Sequence, residues 1–452
     1  MLLGFLFLLL CCCQLFSQDN CKTSDGKVLD DNAEFKRDCE IDLTTNKDGV
    51  ESKEKEEACN HKNNVKIDSS KSDSFTISSA YFDPGLYTNS QLANFGLDLI
   101  KVETRIGQRI KNQWVKIPYA IICCWVNCVF SLSFHEIGHA LRGKAFGCDY
   151  MMPKDCAVNN SDDLGPFKVD QNFFKFFLKK LVRPHRGYPI RVDKKLSLHE
   201  SLICSAGGLN NQIYFTERIS NELHKKGNIS GSGNYAFAYV WGKLYTISYE
   251  ASKTSKDSDI LIDSERIENI YKKMGISVKK RDIVFANVVS TLLSGTTYSV
   301  IARFFDWSDY TDYNNLKALK IAGFRVPDTF SYITTRGVSY KVVSGYKVRE
   351  NLDLMFGVEQ VIHGKSATEV NLGVSKTFGA KLNHISCELA MTFGRGFNIE
   401  ATCSVPTIKD WFLNFGIASY CCKSLLGERH AMDMRNGKDR SNNAFVSISY
   451  RY

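Results

Sequence analysis

The chain has 452 residues, a formal net charge of +9 and an apolar fraction of 44%. That length suits two folded parts, and the apolar content supports a real core. The charge excess is modest and no long Lys/Arg block occurs, which excludes a nucleic-acid groove; solubility or contact with anionic membrane lipid accounts for it.

Met1 to Phe16 reads as a secretory apolar segment, Leu2-Leu3-Gly4-Phe5-Leu6-Phe7-Leu8-Leu9-Leu10 followed by Cys11-Cys12-Cys13. It is short for a membrane span and lacks a basic start. A cut near Ser17 or Gln18 makes residues 1–18 a signal peptide and the mature protein an exported one of the bacterial cell envelope. A lipoprotein signal is the rival, but Leu8-Leu9-Leu10 ahead of Cys11 lacks small residues. Of the 16 cysteines, Cys21, Cys39 and Cys59 lie in a polar tail. Cys123, Cys124, Cys128 and Cys204 fall in apolar stretches, where cysteine acts as a small hydrophobe. Cys148 and Cys156 could pair in an oxidising compartment. With no CxxC pair, a cysteine-built zinc site is not expected.

Residues 19–90 are expected to be a polar, largely disordered linker. Glu51-Ser52-Lys53-Glu54-Lys55-Glu56-Glu57 is typical of a stretch that cannot bury enough apolar surface to offset its ordering entropy.

Residues 91–310 read as a helical domain. Its first apolar segment runs from Ile117 to Phe146, the second from Ser201 to Ile219 and the last from Val284 to Phe305. Tyr235 to Trp241 suits helix or strand. None is an unbroken oily run, so each is a marginal membrane span. Phe173-Phe174-Lys175-Phe176-Phe177-Leu178-Lys179-Lys180-Leu181 interleaves aromatics with lysines, as a membrane-surface helix or a core helix with a basic outer face would.

Residues 325–452 change to a period of two. Leu352, Leu354, Phe356 and Val358 alternate with other residues, as do Val370, Leu372 and Val374. Ile385, Cys387, Leu389, Met391 and Phe393 repeat the pattern, then Leu413, Phe415 and Ile417. This is an antiparallel β-meander. The last strand sets Ala444, Val446, Ile448, Tyr450 and Tyr452 on one face and Ser447, Ser449 and Arg451 on the other. Such a strand resembles the final strand of bacterial outer-membrane β-barrels, with a polar lumen face. About seven or eight strands fit between Phe330 and Tyr452, enough for a small barrel. A soluble sandwich or open sheet would alternate in the same way. The expected fold class is therefore α+β, a helical domain followed by a meander closed into a small barrel.

The chemistry centres on His135-Glu136-Ile137-Gly138-His139. Residues four apart share one helix face, so two imidazoles there can grip one Zn²⁺ and leave Glu136 free to act on a metal-bound water. Ala140-Leu141-Arg142-Gly143-Lys144-Ala145 favours helix and Gly147 suits its stop. His135 and His139 are the expected ligands and Glu136 the general base of peptide hydrolysis. For the third ligand, Asp259 in Lys256-Asp257-Ser258-Asp259-Ile260 leads. Glu217, on a later helix, follows, with Asp257, His185 and His199 behind.

The stretch Phe134 to Gly147 resembles the first conserved helix of site-2-protease-type zinc metalloproteases, where an HExGH core precedes a small residue, a basic residue and Phe-Gly. Ala206-Gly207-Gly208-Leu209-Asn210 is similar to that family's second core helix, although Gly208 stands in place of its proline. The family's Asp-Gly motif, source of its third ligand, has no clear counterpart, and a C-terminal barrel is foreign to it. The resemblance covers about Ile117 to Asn211. It implies membrane-associated cleavage of a peptide or protein substrate, with Asn210 or Asn211 as a substrate carbonyl donor. The expectation is a zinc-dependent endopeptidase of the envelope, inner versus outer membrane left open. The alternative is a non-enzymatic barrel-anchored envelope protein with a structural, adhesive or transport role.

Overall fold

The computed structural model describes residues 74–81, 84–146, 196–229, 233–251, 262–305, 316–349, 351–378, 385–407, 411–430 and 440–451, with short pieces between 150 and 192. The expected signal segment, most of the polar tract, Cys148, Cys156 and Tyr452 lie outside the described residues, as does most of Phe173 to Leu181.

Order begins earlier in the chain than the polar composition suggests. Strand β1 (Ser74–Tyr81) and the first turns of helix α1 (Pro84–Arg109) fall within the tract expected to be linker. A proline opens α1, where its fixed φ is preorganised and its missing N–H is no loss. Helix α2 (Gln113–Ala145) carries the HExxH pentapeptide. The short strands β2 (Tyr150–Pro153), β3 (Leu164–Pro166) and β4 (Arg191–Val192) pair among themselves.

Helix α3 (Leu198–Lys226) is the hub. Its start is fixed by a capping box in which the Glu200 amide donates to Ser197 Oγ and the Ser197 amide donates to the Glu200 carboxylate at 2.8 Å. Its end is Gly227, at φ +70, whose N–H bonds the Leu223 carbonyl. Leu202, Ala206, Leu209, Ile213, Phe215, Ile219 and Leu223 point in several directions and are all buried. A helix buried all round must be surrounded, and α3 is. It packs on α1, on α2, on α4 (Gly233–Ala251) and on α5 (Asp263–Lys273). Tyr235–Trp241, readable as either type of element, is thus helix. The last apolar segment breaks into α6 (Lys280–Leu292) and α7 (Gly295–Phe305), bent by 61°. Only Trp114–Gly143 within α2 is by itself long and apolar enough to cross a membrane among the described residues.

The two-residue strands β5 (Asn228–Ile229) and β6 (Leu316–Lys317) form a small pair. Beyond it lie β7 (Lys320–Ile321), β8 (Phe324–Arg325), β9 (Asp328–Thr334), β10 (Gly337–Arg349), β11 (Leu352–Gly364), β12 (Thr368–Thr377), β13 (Ser386–Phe393), β14 (Asn398–Pro406), β15 (Trp411–Cys421) and β16 (Arg440–Arg451), with helix α8 (Leu425–His430) before β16. The meander expected from the alternation is present, antiparallel throughout, in the order β1-β16-β15-β14-β13-β12-β11-β10-β8-β7 with β9 also on β10.

The expected closed barrel is not formed. Among the described residues β1 pairs only with β16, and β9 only with β10. Helices pack on these outer strands: α1 on β1, and α6 on β9 and β10. At the β9 edge a side chain replaces a strand. Asn210 of α3 donates Nδ2 to the Ile333 carbonyl at 2.8 Å and accepts the Ile333 amide on Oδ1 at 3.0 Å. The two regions expected as separate domains share a core, since Leu202, Ala206 and Leu209 of α3 cluster with Ile333 and Val338 of the sheet.

Candidate metal centre

The site is built where α2 crosses α3. Gly138 and Gly207 face each other backbone to backbone. A Cβ on either would run into the other's carbonyl oxygen, so only glycine allows the approach. The crossing is locked by Arg142, which is fully buried. Its Nη1 donates to Asn211 Oδ1 at 2.6 Å, and its Nε donates to the Arg429 carbonyl of α8 at 3.0 Å. Asn211 Nδ2 in turn donates to the Phe134 carbonyl at 2.8 Å.

The same closeness places Gly208 beneath both ring nitrogens. A Cβ there would overlap His135 Nε2 and His139 Nε2. Gly208 thus leaves a cradle under the two imidazoles.

Asp263, the first residue of α5, closes the site. Its Oδ2 lies 3.0 Å from His135 Nε2 and 3.1 Å from His139 Nε2, and the two Nε2 atoms are 3.2 Å apart. Bonds of 2.0–2.1 Å to a tetrahedral zinc place neighbouring ligand atoms about 3.3 Å apart. The observed triangle is that size within a few tenths of an ångström. Among the described residues it is the one group of three or more His, Cys, Asp or Glu side chains able to hold a metal.

Protonation favours a cation at the centre. His139 Nδ1 lies 2.8 Å from the Cys204 carbonyl, which can only accept, so Nδ1 carries the proton. With Nδ1 so engaged, His139 aims Nε2 at both the carboxylate and the second imidazole. Three electron-rich atoms converging this closely require a proton or a metal ion between them. Burial alone would raise the Asp263 carboxyl, but the imidazoles of His139 and His135 outweigh it and hold it far below the usual carboxylate range. The His135 ring is steadied from its other side by Tyr249 of α4, edge-on at 5.5 Å between centroids. Glu136 is buried, within electrostatic range of His139 and of the Tyr249 hydroxyl.

Asp263 stands beside the two histidines, where a third ligand could sit; Asp257, Asp259 and His185 lie outside the described residues, and His199 is exposed in the first turn of α3. Glu217 is engaged elsewhere: it is buried between α3 and the sheet, paired with Lys341 and accepting the Tyr332 hydroxyl. Asn210 and Asn211, expected as substrate donors, spend their amides on Ile333, Phe134 and Arg142. The signal that could have found Asp263 is positional. Asp263-Ser264-Glu265-Arg266-Ile267 opens an amphipathic helix on an acidic residue, where the helix dipole favours one.

No family model matches the chain, and neither a curated protein nor a solved structure does.

Proposed function

We propose that the chain is a metal-dependent, membrane-associated endopeptidase, with His135, His139 and Asp263 as ligands and Glu136 as general base. The convergence of two Nε2 atoms and one carboxylate oxygen over a glycine cradle carries this reading. Zinc suits the donor set: two imidazoles and one carboxylate satisfy three of four tetrahedral positions. Bound there, the ion would supply an acidified water and polarise a peptide carbonyl. Glu136, next to His135 on the same helix, is the residue that would take a proton from that water and pass it to the departing amine. The Cys204 carbonyl fixes the His139 tautomer, and Tyr249 limits rotation of His135. The short match to site-2-protease-type enzymes supports the same chemistry and extends only over α2 and the first half of α3.

The test is zinc content and hydrolysis by the purified full-length chain. Glu136→Gln should keep its zinc and lose about 10²–10⁴-fold in peptide cleavage. Unchanged zinc in the His135→Ala/His139→Ala double variant would sink the reading, and the chain would then stand as a non-catalytic envelope protein.

A further inference from the structure

The sheet has its polarity inverted. On β11, Leu354, Phe356 and Val358 point outward and are exposed, while the intervening Gly357 and Glu359 are buried. On β15 the exposed set is Trp411, Leu413, Phe415 and Ile417, and the buried set includes Phe412, Gly416 and Ala418. On β16, Val446 and Ile448 are exposed and Ser447 and Ser449 buried. The register makes these one face: Phe356 lies opposite Leu372 and Leu372 opposite Met391, then Leu413 opposite Ile448 and Phe415 opposite Val446.

The opposite face is polar and covered. Glu359 is 1% exposed, bound by Arg429 and by Ser339. Glu388 takes Lys225 of α3 at 2.7 Å, and Asn414 donates to Ser449 at 2.9 Å. Folding in water turns the apolar face of a sheet inward. Here α3 packs on β9 and reaches the polar face through Glu217 to Lys341 and Lys225 to Glu388, while the apolar face is left out, with Ile417 66% exposed. A soluble protein rarely leaves a contiguous apolar surface beyond a few hundred Å².

We infer that the outward face of β10 to β16 is a lipid-contact surface, seated in bilayer hydrocarbon. Three further observations select lipid over a protein partner. Strands β10, β11, β12, β15 and β16 have 10–13 residues, enough for a spanning strand, which needs about 9–11. At the sheet edges α1 packs on β1, α6 packs on β9 and β10, and Asn210 takes both backbone groups of Ile333. Hydrocarbon demands such cover, because it offers no hydrogen bonds to an open edge. Helices carry exposed apolar side chains too, Ile117, Ile121 and Ile122 on α2 and Phe285 and Leu292 on α6, which packs on β9 and β10. A protein partner would need to match the sheet face and these helices together, whereas lipid conforms to both.

The test is photolabelling of the full-length chain in phosphatidylcholine/phosphatidylglycerol vesicles that carry an acyl-chain diazirine lipid, read by peptide mass spectrometry. Leu354, Phe356, Leu372, Leu413, Phe415 and Ile448 should take at least about tenfold more label than Glu359, Asn414, Ser447 and Ser449, as expected of lipid-facing against interior positions. Equal labelling of both sets would overturn the proposal. So would a chain that stays in the supernatant after vesicle flotation, or outward residues protected by crosslinking to a second copy. Phe415→Asp should lower vesicle retention more than tenfold, while Asn414→Asp should not. The readout is lipid contact in the wild-type chain, so its failure leaves the metal reading untouched, and loss of zinc leaves this one untouched.

Discussion

Gly208 of α3 sits so close to His139 of α2 that an added Cβ would stand on the imidazole's Nε2. The helix crossing and the ligand set are therefore parts of one packing arrangement, yet different glycines serve each. Gly208→Ala meets the ends of side chains, which can move. Gly138→Ala meets the Gly207 carbonyl, which is backbone and cannot move without shifting a helix. The expectation for Gly208→Ala is zinc affinity down by at least about tenfold, with the metal-free melting temperature nearly unchanged, since the rings can swing aside at modest cost. Gly138→Ala should instead lose about 1–3 kcal/mol of stability with or without metal. Chelator-competition titrations and thermal melts on both variants separate the outcomes. Equal metal affinity in wild type and Gly208→Ala would contradict the cradle.

On the proposed ligand set, Asp263 would tie metal binding to stability through one contact. It is the first residue of α5, and its carboxylate is the link from that helix to α2 at the site. A ligand that binds only the folded chain stabilises it by about 2.7 kcal/mol at a hundredfold excess over its dissociation constant. Added zinc should raise the melting temperature of wild type and leave Asp263→Ala almost unmoved. A chelator should return wild type to its metal-free value. Equal zinc shifts in the two proteins would remove Asp263 from the ligand set.

The parts legible in the sequence are those set by local period. His135, Glu136 and His139 could be read because one helical turn brings i and i+4 together. Strands β11, β12, β13, β15 and β16 could be read because alternation marks a two-faced strand. Asp263 was not legible as a ligand, because it reaches His135 across 128 residues of chain and its local signal, an acid opening an amphipathic helix, marks a helix start and not a metal. Barrel closure was not legible either. Alternation fixes which way side chains face, but whether two edges meet depends on what else competes for them, here α1, α6 and the Asn210 amide. Strand β1 escaped notice because Ser74-Phe75-Thr76-Ile77-Ser78-Ser79-Ala80-Tyr81 is Ser-rich, and its strand character comes from pairing with β16. Asn210 and Asn211 show the opposite error: polar residues near a site suggested recognition, but buried amides are first of all obliged to find partners.

That obligation gives a third prediction. Asn210 satisfies both backbone groups of Ile333 at the end of the sheet. Asn210→Leu strands a buried N–H and a buried C=O, each costing about 1–3 kcal/mol. Denaturant unfolding of this variant should show a loss of a few kcal/mol, with zinc stoichiometry unchanged. If Asn210 held substrate instead, the variant would keep its stability and lose kcat/KM on peptides.

Glu217 and Lys341 test the other displaced candidate. Their ion pair joins α3 to β10, with both side chains largely buried and Tyr332 also donating to the carboxylate. Removing one partner of a buried pair leaves an unpaired charge, which costs about 3–5 kcal/mol. Replacing both with apolar groups of similar volume costs far less. Glu217→Met and Lys341→Met should each destabilise strongly, and the double variant should recover a large part of the loss, giving a favourable coupling in a double-mutant cycle. All three should bind zinc as wild type does at temperatures where they are folded. A Glu217→Met protein that melts like wild type and loses its zinc would return Glu217 to the metal centre and displace Asp263 from it.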